Sequence, residues 1–223
     1  YLLLIPCRSN KKTVLQFANS FPNTGYIGIP VLSSLYGIEG TVYGSVFNLF
    51  FVVFVWTYGV FVYRGSLDKS RLKQDIKKTF LNPSVLAVVL GILIMVLEIQ
   101  LPNALLVTIR NIGNITTPLS MLIIGVILAG AKISAHTKDW TLYYGSVCKL
   151  LLIPLLIYIA ATFTGVESKA LNSVIIMTAM PASAMTAIFA HNFQKEADYA
   201  AVVVSISTLA SLATIPVLLQ LIL

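Results

Sequence analysis

Apolar residues fall into seven long blocks, 14–35, 41–62, 82–98, 111–131, 141–161, 172–190 and 200–222, separated by polar connections. Each block approaches or exceeds the ~20 residues that carry a helix across hydrocarbon. The blocks are too long and too continuous for barrel strands, which alternate over about 10 residues. The pattern predicts an all-α integral membrane protein. Two stretches depart from the uniform pattern, Ala18–Tyr36 and Met177–Lys195. Each carries a proline near its middle, with small, hydroxyl or amide residues around it: Asn19, Ser20, Pro22, Asn23 and Thr24 in the first, Thr178, Pro181, Ala182 and Ser183 in the second. A proline lacks an N–H and clashes with the preceding helical turn. Freed main-chain groups cannot stay unpaired in hydrocarbon, so each break must face protein, water or a bound solute. Broken helices at mid-depth are where many transporters bind their cargo.

The two stretches also resemble each other. Laying Pro22 over Pro181 places Asn19 over Thr178, Thr24 over Ser183 and Glu39 over Asp198. A short turn and an unbroken apolar block follow each, 41–62 and 200–222. An odd number of spans separates the two starts, which inverts the second copy relative to the first. The expected fold is therefore a pair of inverted five-span repeats with two crossed, proline-broken helices. Residues 1–62 form the end of the first repeat, 63–81 a basic linker and 82–223 the second repeat. Tyr1–Ile5 reads as the tail of a preceding span, so the N-terminal spans are expected to be absent from this chain.

Composition agrees with a membrane protein: 57% of residues are hydrophobic and 10% charged, against about 25% charged in soluble domains. The net charge of +7 would suggest nucleic acid, but its placement does not. If the blocks alternate sides, twelve basic residues, Arg8, Lys11 and Lys12 among them, fall on one side and only Arg110 and Lys169 on the other. That asymmetry places the basic loops in the cytoplasm of a multi-pass protein of the inner or plasma membrane, with the lipid bilayer and no nucleic acid as partner. The 63–81 loop reads either as a solvated linker or as a surface helix against anionic lipid heads. Cys7 and Cys148 lie far apart with no metal spacing and are expected to be free thiols.

Several residues are candidates for solute contact. Asn19, Asn23, Thr24 and Gly25 surround the first break, with Gly28 and Pro30 helping to interrupt its helix. Pro181 and Ser183 form the second break, and Asn48 lies on the next block, where it reaches a solute or a neighbouring carbonyl. A half-helix starting after Pro22 would offer N–H groups to an anion. Each break also has a plain structural reading, a kink packed through small residues with hydroxyls bonded back to carbonyls. Lys149 is the one charged residue well inside a block, ~12 Å along the axis from its basic end. It either attracts an anionic solute or snorkels to the surface. His191, at the end of the second broken stretch, is a gate, a proton site or an interfacial cap. No catalytic motif, metal set or cofactor site is visible, so an enzyme is not expected.

The run Asn23-Thr24-x-x-x-Gly28-x-Pro30, the break Pro181-Ala182-Ser183, and 113–131 with Pro118 and Gly125-x-x-Leu128-Ala129-Gly130 together resemble the auxin efflux carrier family. This group includes plant PIN auxin exporters and bacterial malate or malonate permeases. The resemblance implies ten spans in the bile-acid symporter and sodium–proton antiporter style, and an elevator motion. In that motion 14–62 and 141–222 would move past a scaffold of 82–98 and 111–131. It implies secondary transport of a small organic anion, such as a malate-like dicarboxylate, with proton coupling and a homodimer left open. The short 63–81 loop is nearer the bacterial members. The alternatives are a non-transporting membrane receptor or assembly protein, and a membrane enzyme.

Overall fold

The computed structural model describes residues 10–64, 81, 83–130, 136, 138–163, 165 and 168–222. Cys7, Tyr1–Ile5 and most of the 63–81 linker therefore lie outside the described residues. Those residues are all-α apart from one isolated bridge. In chain order they form α1 (Asn10–Ser20), α2 (Thr24–Arg64), α3 (Pro83–Val96), α4 (Asn103–Asn114), α5 (Thr116–Gly130), α6 (Trp140–Thr162), α7 (Lys169–Thr178), α8 (Met185–Asn192) and α9 (Ala197–Ile222).

By length and composition three of these could cross a membrane: α2, whose 41 residues include a turn at Gly37, α6 with 23 and α9 with 26. This corrects the expectation of inverted five-span repeats, and with it the elevator geometry built on them. The reason lies in the residues that suggested the repeats. Pro22 and its neighbours leave α1 only 11 residues long. The break at Pro181 divides block 172–190 into α7 of 10 residues and α8 of 8. Block 82–98 yields a helix of 14 residues, and 111–131 is interrupted at Ile115, between helices of 12 and 15. None of these pieces reaches the ~20 residues of a span.

The long run α2 is itself folded back. Gly37 sits at φ 61, ψ −132, a left-handed conformation in which a side chain would be strained. The Thr24 hydroxyl donates to Asn48 Oδ1 at 2.7 Å across 24 residues of sequence. A straight helix would hold those residues ~36 Å apart. The two arms therefore lie side by side, with the turn at Gly37 as their tip. There Glu39 pairs with Lys169 at 2.7 Å, an exposed contact that raises the lysine's pKa by hydrogen bonding but adds little stability.

The core joins α1, the end of α2, α6, α8 and α9. Val14, Leu15, Phe17, Phe21, Leu142, Phe189 and Tyr199 are all buried in it. Phe17 is its hub, with ring centroids 4.5 Å from Phe21, 5.2 Å from Tyr63 and 5.0 Å from Phe189. A smaller cluster of Leu32, Ile176, Met177 and Met180 fixes the first arm of α2 to α7. Helices α3 to α5 carry their apolar side chains outward, among them Leu90, Leu106 and Leu122. That is an ordinary surface for a protein whose solvent there is lipid.

Candidate functional site

The two breaks meet. Pro22 and Ala182 form an antiparallel bridge. The Asn23 amide donates to the Pro181 carbonyl at 2.8 Å, and the Ser183 amide donates to the Phe21 carbonyl at 3.0 Å. The local cause is the prolines. Each holds the preceding residue away from helical geometry, which leaves short extended pieces whose main-chain groups need partners.

The polar residues near the breaks are largely occupied in holding them. Asn23, 3% exposed, accepts the Tyr26 amide on its side chain at 3.3 Å and so caps the start of α2. Ser183 Oγ accepts the Met185 amide at 3.2 Å in the turn that leads into α8. The Ala182 amide donates to Ser207 of α9 at 3.2 Å. Thr24 is spent on Asn48, and Gly25 packs beside that pair, where a Cβ would stand 3.8 Å from Asn48 Oδ1. Gly28 is buried against Met177 with no room for a Cβ. Pro30 is half-buried in the first arm of α2, and His191 is exposed at the end of α8. These amides are paired within the protein, so the charge presented at the breaks comes from elsewhere.

It comes from Lys149. A cavity of about 500 Å³ lies beside the first break, and its mostly apolar lining includes the polar residues Asn19, Ser20, Lys149 and Thr178 together with Pro22. Phe47, Phe51, Phe54 and Tyr58 of the second α2 arm form its apolar wall. Lys149 is 2% exposed. Its Nζ donates to the Asn19 carbonyl at 3.3 Å, and it has no carboxylate partner among the described residues. The Asn19 amide, also lining the cavity, is buried with neither its nitrogen nor its oxygen hydrogen-bonded. A buried ammonium and a buried, unsatisfied side-chain amide are both costly to leave without partners. Lys149 lies in the π-helical turn Cys148–Leu152 of α6, and Tyr58 in the π-helical turn Val55–Gly59 of α2. Such turns are rare and recur at functional sites because they re-aim side chains. Tyr58 is oriented in turn by Gln16, whose amide donates to its hydroxyl at 2.8 Å.

The aromatic wall is the part of the site that reading the sequence missed. Phe47, Phe51, Phe54 and Tyr58 recur at helical spacing, which is a visible signal. In a membrane helix, however, that stripe serves lipid, a neighbouring helix or a solute equally well. Cys148 is a buried free thiol next to Lys149. Among the described residues no cluster of His, Cys, Asp or Glu could hold a metal ion.

At the end of α6 away from the cavity, Lys11 pairs with Asp139 at 2.6 Å. Asp139 also accepts the amide and hydroxyl of Thr141, and that hydroxyl is 2.8 Å from the Tyr199 hydroxyl. Burial alone would raise the Asp139 pKa, but the hydrogen bonds from Lys11 and Thr141 outweigh it, and the net shift is downward from 3.8. A depressed carboxylate pKa adds stability that is fully present above the unfolded value and is lost as pH falls through the folded one. Melting temperature should therefore drop below about pH 4 in the native chain, and less steeply in Asp139→Asn. Equal acid sensitivity in the two would contradict this account.

Long apolar helices around a buried charge and a cavity are features that a membrane transporter needs. The family model described as "Membrane transport protein" matches residues 4–219. The chain belongs to this family, the auxin efflux carrier group of small-molecule transporters. It is an integral, multi-pass membrane protein, consistent with a plasma-membrane location, and a transporter rather than an enzyme. The "Uncharacterized transporter MJ1031" of Methanocaldococcus jannaschii is 22% identical over 96% of this chain and 71% of its own length.

Proposed function

We propose that the protein carries a small organic anion across the membrane by secondary transport, with a single carboxylate bound at Lys149 and Asn19. The observation that carries this reading is the fully buried Lys149 at the edge of an aromatic-walled cavity, with no acidic partner among the described residues. An anion entering the cavity would supply that partner. The aromatic wall favours a cargo with an apolar body, since ring faces and edges pack against flat or hydrocarbon surfaces. A malate-like dicarboxylate fits less well. Its second carboxylate would be set against Phe47, Phe51 and Phe54 without a counter-charge, at a cost of several kcal/mol. Access would alternate between the two sides of the membrane; no particular domain motion is implied.

Proteoliposome uptake distinguishes the cargoes. Labelled phenylacetate or benzoate should enter saturably and show counterflow. Malate should compete weakly, at ten-fold or more higher concentration. Saturable malate uptake unaffected by excess monocarboxylate would reverse the assignment of cargo. Binding without counterflow would favour a receptor. The same vesicles under an imposed pH gradient read out proton coupling directly.

A further inference from the structure

Helix α1 meets α6 along one face in a repeated order. Lys11, Leu15 and Asn19 are four residues apart and so share a face of α1. Opposite them, in the same order, stand Asp139, Gly145 and Lys149. The end contacts are polar, Lys11 to Asp139 at 2.6 Å and Lys149 Nζ to the Asn19 carbonyl at 3.3 Å. The middle contact is steric. A Cβ on Gly145 would lie 2.5 Å from Leu15 Cδ2, and Leu15 is 0% exposed. The helices therefore run parallel, tied at both ends, and their separation at the centre is set by a leucine seated on a missing side chain.

We propose that Leu15 and Gly145 are positioning residues of the anion site: their close approach holds Lys149 against Asn19 at the cavity. This rests on the reading of Lys149 as the anion-binding charge. Lys149 follows Gly145 by four residues, about one turn, so a displacement at Gly145 is carried to it directly. Neither positioning residue lines the cavity. Leu15 is fully buried in one core with Val14, Phe17, Ala18 and Leu142, so its side chain has little free space to turn into. On this proposal a methyl at Gly145 pushes α6 off α1, lengthens the Lys149–Asn19 contact and opens the gap beside the ammonium. Alanine is a better helix former than glycine, so a weakened α6 would not explain a loss of function in Gly145→Ala.

The test pairs transport with a chemical probe of the lysine itself. In the intact chain, site-resolved carbamylation by cyanate, read by mass spectrometry, should rise several-fold at Lys149 in Gly145→Ala and remain unchanged at exposed lysines. In proteoliposomes the same variant should raise KM for the monocarboxylate about ten-fold, the size of a partly lost charge contact, with kcat within two-fold. Shortening the opposing side chain should relieve both effects in Leu15→Ala/Gly145→Ala. Leu15→Val/Gly145→Ala serves as the milder pair if the first melts early. Unchanged carbamylation in Gly145→Ala overturns the proposal, and so does a change that neither double variant relieves. If the native chain takes up none of the anions, the functional reading fails, while the carbamylation series still decides whether this contact positions Lys149.

Discussion

Lys149→Met is expected to abolish saturable anion uptake while leaving the protein folded. The side chain is 2% exposed and its only described polar contact is the Asn19 carbonyl at 3.3 Å. Desolvating an ammonium costs several kcal/mol, and one neutral carbonyl returns only part of it. Methionine has nearly the same length and no charge, so it fills the same space without that penalty. The melting temperature of the variant should equal or exceed that of the native chain. Transport should move the other way. Removing one partner of a buried, hydrogen-bonded charge pair costs about 2–5 kcal/mol, which corresponds to ~30-fold or more in affinity. Opposite signs for stability and uptake are the signature of a binding charge. A structural lysine would lose both together. Uptake in Lys149→Met within two-fold of the native rate would remove Lys149 from the site.

Ala182→Leu should be the most damaging single change at the breaks. Ala182 is 1% exposed, bridges to Pro22 and donates its amide to Ser207 at 3.2 Å. Three added carbons have no free volume there, and overpacking of this kind costs ~1–3 kcal/mol. Relief by separating the breaks would lengthen the Asn23–Pro181 and Ser183–Phe21 hydrogen bonds, 2.8 Å and 3.0 Å in the native chain. Each buried group left unpaired adds ~1–3 kcal/mol. Phe21 and Pro22 also line the cavity, so uptake should fall with stability. Ala182→Ser, nearly the same size, should be tolerated. The check is a melting curve in detergent beside uptake in vesicles. A native-like melt and rate in Ala182→Leu would show that the crossing has slack that the packed geometry does not suggest.

Which residues of the breaks face a solute was not legible in advance. Asn23, Thr24 and Ser183 have the right chemistry for a ligand, and the same chemistry suits a helix cap. A main-chain amide is nearer than any solute: Asn23 caps the start of α2, and Ser183 holds the turn before α8. Asn48 could be placed opposite Thr24 only after Gly37 turned the run back on itself. Asn19 and Lys149 were both visible as polar residues in apolar blocks. Their meeting was not, because 130 residues separate them. The seven-block reading overcounted long helices for a related reason: hydropathy averages over a window and passes across Pro181 or Ile115, while the backbone does not.

Residue composition and local chemistry were enough to identify the solvent and the weak points. A hydrophobic content of 57% points to lipid around the helices, and a proline among small polar residues marks Pro22 and Pro181 as weak points, whereas Pro216 is accommodated inside α9; these are properties of single residues and short windows. Tertiary structure alone decided what the breaks do. They pair with each other and consume their own polar groups, and the contact of α1 with α6 brings a distant lysine to the cavity. Such pairings depend on which of many equivalent partners comes within hydrogen-bonding distance, and that is settled by packing of the whole chain.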